Sequence, residues 1–281
     1  MKFKPFSRKQ LKVLSWWKVD GIKDKYDAII ADGSVRSGKT VSMSISFLMW
    51  AMENFSDCNF AICGKTVGSC RRNVIKPLIN MMSGRYNIKD KRSENLLTVS
   101  KKGKTNTFYI FGGKDESSQD LIQGVTLAGI LFDEVALMPR SFVEQGLARC
   151  SIEGARFWFN CNPDNPNHWF YREWVLKADE KHALRLSFLM DDNLSLSEKV
   201  KQRYYSLYVG TFFRRFILGE WVIAEGLVYQ DFNDHIKENL WHGKESDLKG
   251  EWYISVDYGT INPCSMGSVS YTHLTLPTNS L

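Results

Sequence analysis

Hydrophobic positions along the chain fall into short apolar runs separated by stretches of helical spacing. Tyr26-Asp27-Ala28-Ile29-Ile30-Ala31 reads as a short buried strand, and Thr40 to Glu53 lacks Gly and Pro and carries apolar residues at helical intervals. Upstream, Leu11, Leu14 and Trp17 lie on one side of a partly helical segment. Asn59 to Cys63 repeats the strand pattern, and a helix is expected from about Gly68 to Met82. Leu96 to Ser100 and Thr105 to Phe111 form the arms of a predicted hairpin turned at Lys101-Lys102-Gly103-Lys104. Ser117 to Gly124 reads as a polar, helix-like turn. Two further apolar runs end in polar residues: Leu127 to Phe132 before Asp133-Glu134, and Ala155 to Phe159 before Asn160-Cys161-Asn162-Pro163. Ser197 to Tyr208 favours helix, Phe212 to Trp221 is apolar and basic, and Trp252 to Val256 reads as a fresh strand after a polar linker from His242 to Gly250. Strands alternating with helices predict an α/β fold with a mainly parallel, helix-flanked sheet.

Composition adds little to that picture but excludes several classes. With 281 residues, 43% hydrophobic and 24% charged, the chain has room for one or two domains with a real core. A net charge of +6 permits a polyanionic partner without requiring one. Met1 to Lys9 is charged with no apolar segment behind it, so no signal peptide is expected. The most apolar helix, near Met43 to Met52, is too short and Ser-rich to cross a bilayer. The six cysteines (Cys58, Cys63, Cys70, Cys150, Cys161, Cys264) show no C-x-x-C or zinc-ligand spacing and read as reduced, mostly buried thiols.

The stretch Gly33-Ser34-Val35-Arg36-Ser37-Gly38-Lys39-Thr40 fits G-x-x-x-x-G-K-[ST] at every fixed position. Its glycines let the backbone curl until N–H groups face phosphates, Lys39 supplies a point charge, and the Thr40 hydroxyl is placed for Mg²⁺. The plain alternative, a Gly/Ser-rich surface turn, is weakened by the flanking strand and helix, which put the loop at a helix N-terminus. Asp133 and Glu134 end an apolar strand: the first can reach Mg²⁺ and the second can orient and deprotonate a water. Alone they could equally be acidic residues opening a helix; downstream of a phosphate loop they point to ATP hydrolysis. Gln10 reads either as a surface glutamine or as an amide that recognises adenine.

Taken in order, GSVRSGKT, ILFDE, FNCNPDNPNHWFY, RRFILGEW, EGLVYQDF and YISVDYGTINP resemble the large terminase subunit of tailed bacteriophages, with the group in defective Bacillus prophages as the nearest likeness. The likeness runs from about Gln10 to Met266, and the NCNPD…HWFY and LGEW blocks are its most specific parts. It implies an ATPase that drives double-stranded DNA into a procapsid, in the host cytoplasm and transiently on the procapsid. The implied partners are DNA, the portal protein, the small terminase subunit and further copies of the chain, with no membrane. Lys39 and Thr40 then bind phosphate and Mg²⁺, Asp133 is the metal-side carboxylate, Glu134 the catalytic one, and Asn162 lies in the coupling segment. Arg36 is a candidate arginine finger acting in cis; Arg71 and Arg72 are weaker candidates for acting on a neighbouring subunit.

The same likeness divides the chain into a P-loop ATPase domain (1–223), a linker and first strand of a truncated ribonuclease-H-like nuclease (224–267), and a tail (268–281). Asp257 matches the first carboxylate of that nuclease, which in the full-length family uses Mg²⁺ or Mn²⁺; its other carboxylates would lie beyond residue 281. The Trp252–Val256 strand, lacking a partner of its own, is accordingly expected either to pair with the ATPase domain or to remain poorly ordered. The tail Val269 to Ser280 resembles a translated sequencing adapter rather than terminase, so it is expected to be disordered or only loosely docked, and His273 carries no role. Two other readings fit the same residues: a helicase-like DNA-dependent ATPase, and a nucleotide-gated module that binds a portal.

Overall fold

The structure is a computed structural model, describing residues 5–223, 251–257 and 265–271. Contacts divide the chain into two units, Met1–Glu225 and Gly226–Leu281. The first is built on strands β1 (Ala28–Gly33), β2 (Asn59–Gly64), β3 (Asn87–Lys91), β4 (Leu96–Lys101), β5 (Lys104–Gly112), β6 (Gly129–Asp133), β7 (Arg156–Cys161) and β8 (Ala183–Phe188). They form one sheet in the order β3-β4-β5-β2-β6-β7-β1-β8. The run from β5 to β8 is parallel, and β4 and β3 add an antiparallel edge.

The apolar runs become strands because both faces of the sheet are buried, as parallel sheets require. Ile29, Ala31, Phe60, Ile62, Leu131 and Trp158 belong to one core; Ala28, Ile30, Ala61, Cys63, Ile130, Phe132 and Phe159 belong to the other. The first face is covered by α1 (Arg8–Ser15), α2 (Lys39–Asn54), and a helical stretch in which a π turn (Arg71–Ile75) joins α3 (Val67–Cys70) to α4 (Lys76–Met82). The second is covered by α5 (Arg140–Ala148) together with Phe170 and Val175. Two more helices follow β8, α6 (Glu198–Leu207) and α7 (Gly210–Phe216).

Trp158 is the hub of the first core. It is fully buried, with ring centroids 5.0 Å from Trp16, 5.1 Å from Phe47 and 4.8 Å from Trp50. Its indole N–H donates to Ser46 Oγ at 3.2 Å, and that hydroxyl donates to the Val13 carbonyl. Strand β7, α2 and α1 are thereby fixed to one another. Gly129 allows the close approach: a Cβ there would come within 2.6 Å of the Trp50 ring.

Register then sets the geometry of the site. Asp32 lies beside Cys161, and Asp133 beside Asn160, so β1, β7 and β6 present their carboxyl ends together at one edge of the sheet.

Several expectations need correction. The predicted hairpin is present as β4 and β5, but β3, β8 and α5 were not anticipated. In β3 only one apolar residue, Ile88, alternates with charged ones, as suits an exposed edge strand. The expectation that Trp252–Val256 stands without a partner is also overturned. In the second unit β9 (Glu251–Asp257) pairs antiparallel with β10 (Ser265–Tyr271), from Asp257 opposite Ser265 to Glu251 opposite Tyr271. Hairpin pairing gives the strand's N–H and C=O groups partners within its own unit, and it takes in Ser268 to Tyr271 from the proposed tail. The rest of that tail, with His273, and the linker from 224 to 250 lie outside the described residues.

Removing the hub tests this packing. Trp158→Ala is expected to lower the free energy of unfolding by about 3–5 kcal/mol, and Trp158→Phe by clearly less. Urea titrations of both variants against the parent check the order.

Candidate nucleotide-binding site

The phosphate-loop sequence occupies the turn from β1 into α2. Gly33 has φ 130°, and a Cβ there would overlap the Phe188 carbonyl, which accepts from the Ser34 N–H at 2.8 Å. Gly38 has φ 84° and starts α2 from the left-handed region. Both positions require glycine, for space at the first and for conformation at both. Arg36 also has a positive φ of 57°, although it carries a side chain.

Lys39 is 6% exposed and folds back into the loop. Its Nζ donates to Ser34 O (2.6 Å), Gly33 O (3.0 Å), Asn162 Oδ1 (3.1 Å) and Ser37 Oγ (3.2 Å). Burial lowers its pKa to about 8, against the opposing pull of Cys161, Asp32, Asp133 and Glu134.

On the other side of the cleft, Thr40 Oγ1 donates to Asp133 Oδ1 at 3.0 Å. Asn160 Nδ2 donates to Thr40 Oγ1 at 2.8 Å and also to Asp133 Oδ1. Burial first, and the charge of Glu134 second, raise the Asp133 pKa to about 6, while the Thr40 and Asn160 hydrogen bonds and Lys39 act in the opposite direction. Glu134 follows with φ 60°, at the start of a 3-10 turn, Val135–Leu137. Such a conformation costs on the order of 1–3 kcal/mol for a residue with a side chain and marks functional sites.

These groups line one cavity of about 650 Å³, with Val35 to Val41, Asp133, Glu134, Asn160 and Asn162 on its walls. Two arginines share it with Lys39. Arg36 is held by a 2.9 Å bond from its Nε to the Tyr204 hydroxyl, while its carbonyl accepts from Asn193 Nδ2 at 2.7 Å. Arg72 lines the cavity too, whereas Arg71 is turned away into a pair with Asp90 at 2.9 Å. Gln10 is not on the cavity wall. It closes a capping box at the start of α1, accepting from Ser7 N–H at 2.9 Å, and its amide nitrogen packs on Gly38. Asp257 ends β9 in the second unit. Asn160, Asn193 and Asp32 were not singled out in the sequence. Asn160 stands at the end of the same apolar run as Asn162, and that position is its only signal.

The site has the donor chemistry for a hard divalent cation, since a hydroxyl and a carboxylate meet at 3.0 Å between α2 and β6. Asn160 Oδ1 and Ser34 Oγ are buried there without hydrogen-bond partners. Among the described residues no helix is long and apolar enough to cross a membrane.

Residues 30–234 match the N-terminal domain of terminase large subunits of the T4likevirus type. The chain belongs to the phage large terminase family. Among solved structures, it resembles the large terminase of a thermophilic bacteriophage in complex with ADP, at 52% identity and a TM-score of 0.76, covering 95% of this chain. The same phage protein in complex with ATP-gamma-S matches at 51% identity, with a TM-score of 0.75 and the same 95% coverage of this chain. The chain spans 65% of that protein's length in both cases. The large terminase ATPase domain of Thermus phage P74-26 shares the fold at 16% identity and a TM-score of 0.55, over 79% of this chain and 100% of that domain. No curated protein matches the chain.

In this terminase the LGEW block braces the loop from behind. Asp32, which precedes Gly33, is fully buried; it accepts from Arg185 Nη2 at 2.8 Å, Arg185 Nε at 3.2 Å and Trp221 Nε1 at 3.1 Å. Trp221 stacks on Tyr171 at 4.7 Å. Gly219, with φ 70°, brings the chain so close that a Cβ would lie 3.0 Å from Gly33 Cα, and the Phe216 carbonyl accepts from Val35 N–H at 2.9 Å. Arg215 also bonds to Asp164. Trp221→Phe keeps the stacking and removes only the N–H donor to a carboxylate. It is expected to cost about 1.5–3 kcal/mol of stability, which thermal and urea unfolding measure.

Proposed function

We propose that this chain binds and hydrolyses Mg·ATP at the cavity between β1, β6 and β7, as the motor part of a DNA-packaging terminase. The observation that carries the reading is the junction of Thr40 and Asp133 at 3.0 Å, which joins the phosphate-loop helix to the neighbouring strand end. The related phage protein in complex with ADP and with ATP-gamma-S supports the same choice of ligand.

Each residue then has a task. Backbone N–H groups of Gly33 to Gly38 and the start of α2 cradle phosphate oxygens, and Lys39 exchanges loop carbonyls for β- and γ-phosphate oxygens. Thr40 and Asp133 would hold Mg²⁺, which when bound neutralises phosphate charge. Glu134 orients the attacking water and accepts its proton. Arg36 supplies positive charge where the transition state spreads negative charge over the γ-phosphoryl oxygens, and Arg72 is placed on the same wall. Asn162 accepts from Lys39, so its contact depends on whether Lys39 is drawn to a γ-phosphate; that suits a coupling role. Gln10 lies behind Gly38, within reach of a base stacked outside the loop only if its capping bond to Ser7 is given up.

The finer assignments extend this reading to the whole protein. Double-stranded DNA is the translocated substrate, the portal protein and small terminase subunit are partners, and copies of the chain assemble on the procapsid in the host cytoplasm. Residues 1–223 form the motor, 224–267 open a truncated nuclease domain in which Asp257 supplies one carboxylate of an incomplete site for Mg²⁺ or Mn²⁺, and 268–281 are foreign to it. The position of Asp257 at the end of β9 supports its place as a metal carboxylate.

Lys39→Ala is expected to abolish Mg·ATP binding, and unchanged affinity in a titration with a fluorescent ATP analogue would reject the site. Glu134→Gln should bind normally and lose about 10²–10⁴ in kcat, read in a phosphate-release assay. Arg36→Ala should lower kcat far more than it weakens ATP affinity; a raised KM at unchanged kcat would show that Arg36 is a ground-state contact only.

A further inference from the structure

Beside the nucleotide cavity lies a second one, of about 670 Å³, lined mainly by charge of one sign. Ile75 and Ile79 give it an aliphatic lining, and Arg71, Arg72, Lys76 and Arg92 stand around it. Among the described residues Asp90 is the only carboxylate on its wall, so three positive charges remain in excess. Separate backbone elements bring these cations together. A π turn carries Arg71 and Arg72, α4 starts at Lys76, and Arg92 directly follows β3. Side chains alternate along β3, so Asp90 shares with Ile88 the face that meets the helices, while Lys89 and Lys91 are exposed.

One carboxylate has to serve two arginines. Arg71 Nη1 donates to the Asp90 oxygens at 2.9 and 3.2 Å, and Arg92 Nε donates to the same carboxylate at 3.4 Å. Arg72 and Lys76 are exposed and have no ion-pair partner among the described residues. Exposed pairs of this kind add little to stability, so the fold gains almost nothing by gathering the four cations. In a concave wall they instead focus a positive field into the groove. The π turn is a second sign, because that form of helix is rare and occurs mostly at functional sites. A chain of phosphodiesters fits such a lining, with phosphates for the cations and deoxyribose for the isoleucines. A second copy of this chain fits less well, since it carries a net charge of +6 itself.

We propose that the groove between the π turn with α4 and the end of β3 holds the phosphate backbone of double-stranded DNA. The proposal rests on the reading of DNA as the translocated substrate, and it names the surface of the first unit that grips it. Arg72 lines both cavities, so DNA in the groove lies one side chain away from the nucleotide. Contacts go to phosphates and not to base edges, so binding is independent of sequence and weakens steeply with salt.

Lys76 and Arg92 are exposed and line the groove without lining the nucleotide cavity, so the pair Lys76→Gln and Arg92→Gln tests the groove alone. Binding of a short labelled duplex is followed by fluorescence anisotropy over a series of NaCl concentrations. The double variant should lose about tenfold in affinity at low salt, and its plot of log affinity against log salt should be shallower by about 2. Its affinity for a fluorescent ATP analogue should stay within about twofold of the parent's. Lys18→Gln with Lys25→Gln removes the same charge from exposed positions outside the groove and should change neither affinity nor slope. Asp90→Asn removes the carboxylate that competes with phosphate and should tighten DNA binding severalfold, a gain that poor folding does not produce. Unlabelled duplexes of unrelated sequence should displace the probe equally well, and inorganic phosphate or poly-glutamate at matched charge should do so far less. Unchanged affinity and slope in the groove pair, an equal loss in the control pair, or no tightening in Asp90→Asn would overturn the groove. Displacement by phosphate or poly-glutamate as effective as by DNA would overturn it too, as a site for free anions or for an acidic protein segment. A parent that binds no duplex even at low salt would overturn the reading of DNA as substrate, and the groove with it.

Discussion

A lysine ammonium almost wholly out of water is the constraint on which the site depends. An unpaired charge there would be far too costly, so oxygens must be gathered around it. Lys39 takes them from the end of β1, from its own loop and from Asn162 beyond β7. Further out, the carboxylates of Asp32, Asp133 and Glu134 lend negative potential. Each supplier lies at the carboxyl end of one of three adjacent parallel strands, so the charge can be compensated only if β6, β7 and β1 lie side by side in this register. Topology and electrostatics select one another here. Ligands of open α/β sheets bind at this edge for the same reason.

The opposite wall of the cleft works by shared acceptors. Thr40 and Asn160 both donate to Asp133, and Asn160 donates to Thr40 as well, so three side chains from α2, β6 and β7 form a closed triangle. Removing any one leaves polar groups without partners in a poorly hydrated place. The raised pKa of Asp133 records the tension between that desolvation and those hydrogen bonds. Directly beside it the backbone turns into the left-handed region at Glu134, so one of the few strained residues with a side chain coincides with the carboxylate proposed as the base.

The sequence made the loop and the Asp133-Glu134 pair legible, because local spacing fixes both: one turn into a helix, and one strand end. The resemblance to terminases rested on longer blocks, and the family match and the fold agree with it. What stayed hidden depends on distance along the chain. Asp32 looks like an unremarkable strand residue until Arg185 and Trp221, 153 and 189 positions away, close on it. Arg71 and Arg72 cannot be told apart by pattern; a π turn and the carboxylate of Asp90 send one away from the cavity and leave the other on its wall. Strand β8 (Ala183–Phe188) escaped notice because its apolar residues are interrupted by Arg185, the very residue that Asp32 needs. The pairing of β9 with β10 was missed because a likeness to known proteins carries no information about a segment that departs from them.

The bracing of the loop has a mechanical meaning. The last described residues of the first unit are Trp221, Val222 and Ile223, and two of them are fastened: the Trp221 indole to Asp32, and the Val222 N–H to the Asp164 carbonyl at 3.2 Å. A pull on the chain at that point is therefore delivered to the foot of β1 and to the segment that leaves β7, not dissipated in helix α7. Force and phosphate would meet within one residue of each other, since Asp32 borders Gly33. A tether attached so near the loop makes the first unit stiff in tension along its exit, with the tryptophan as the rivet.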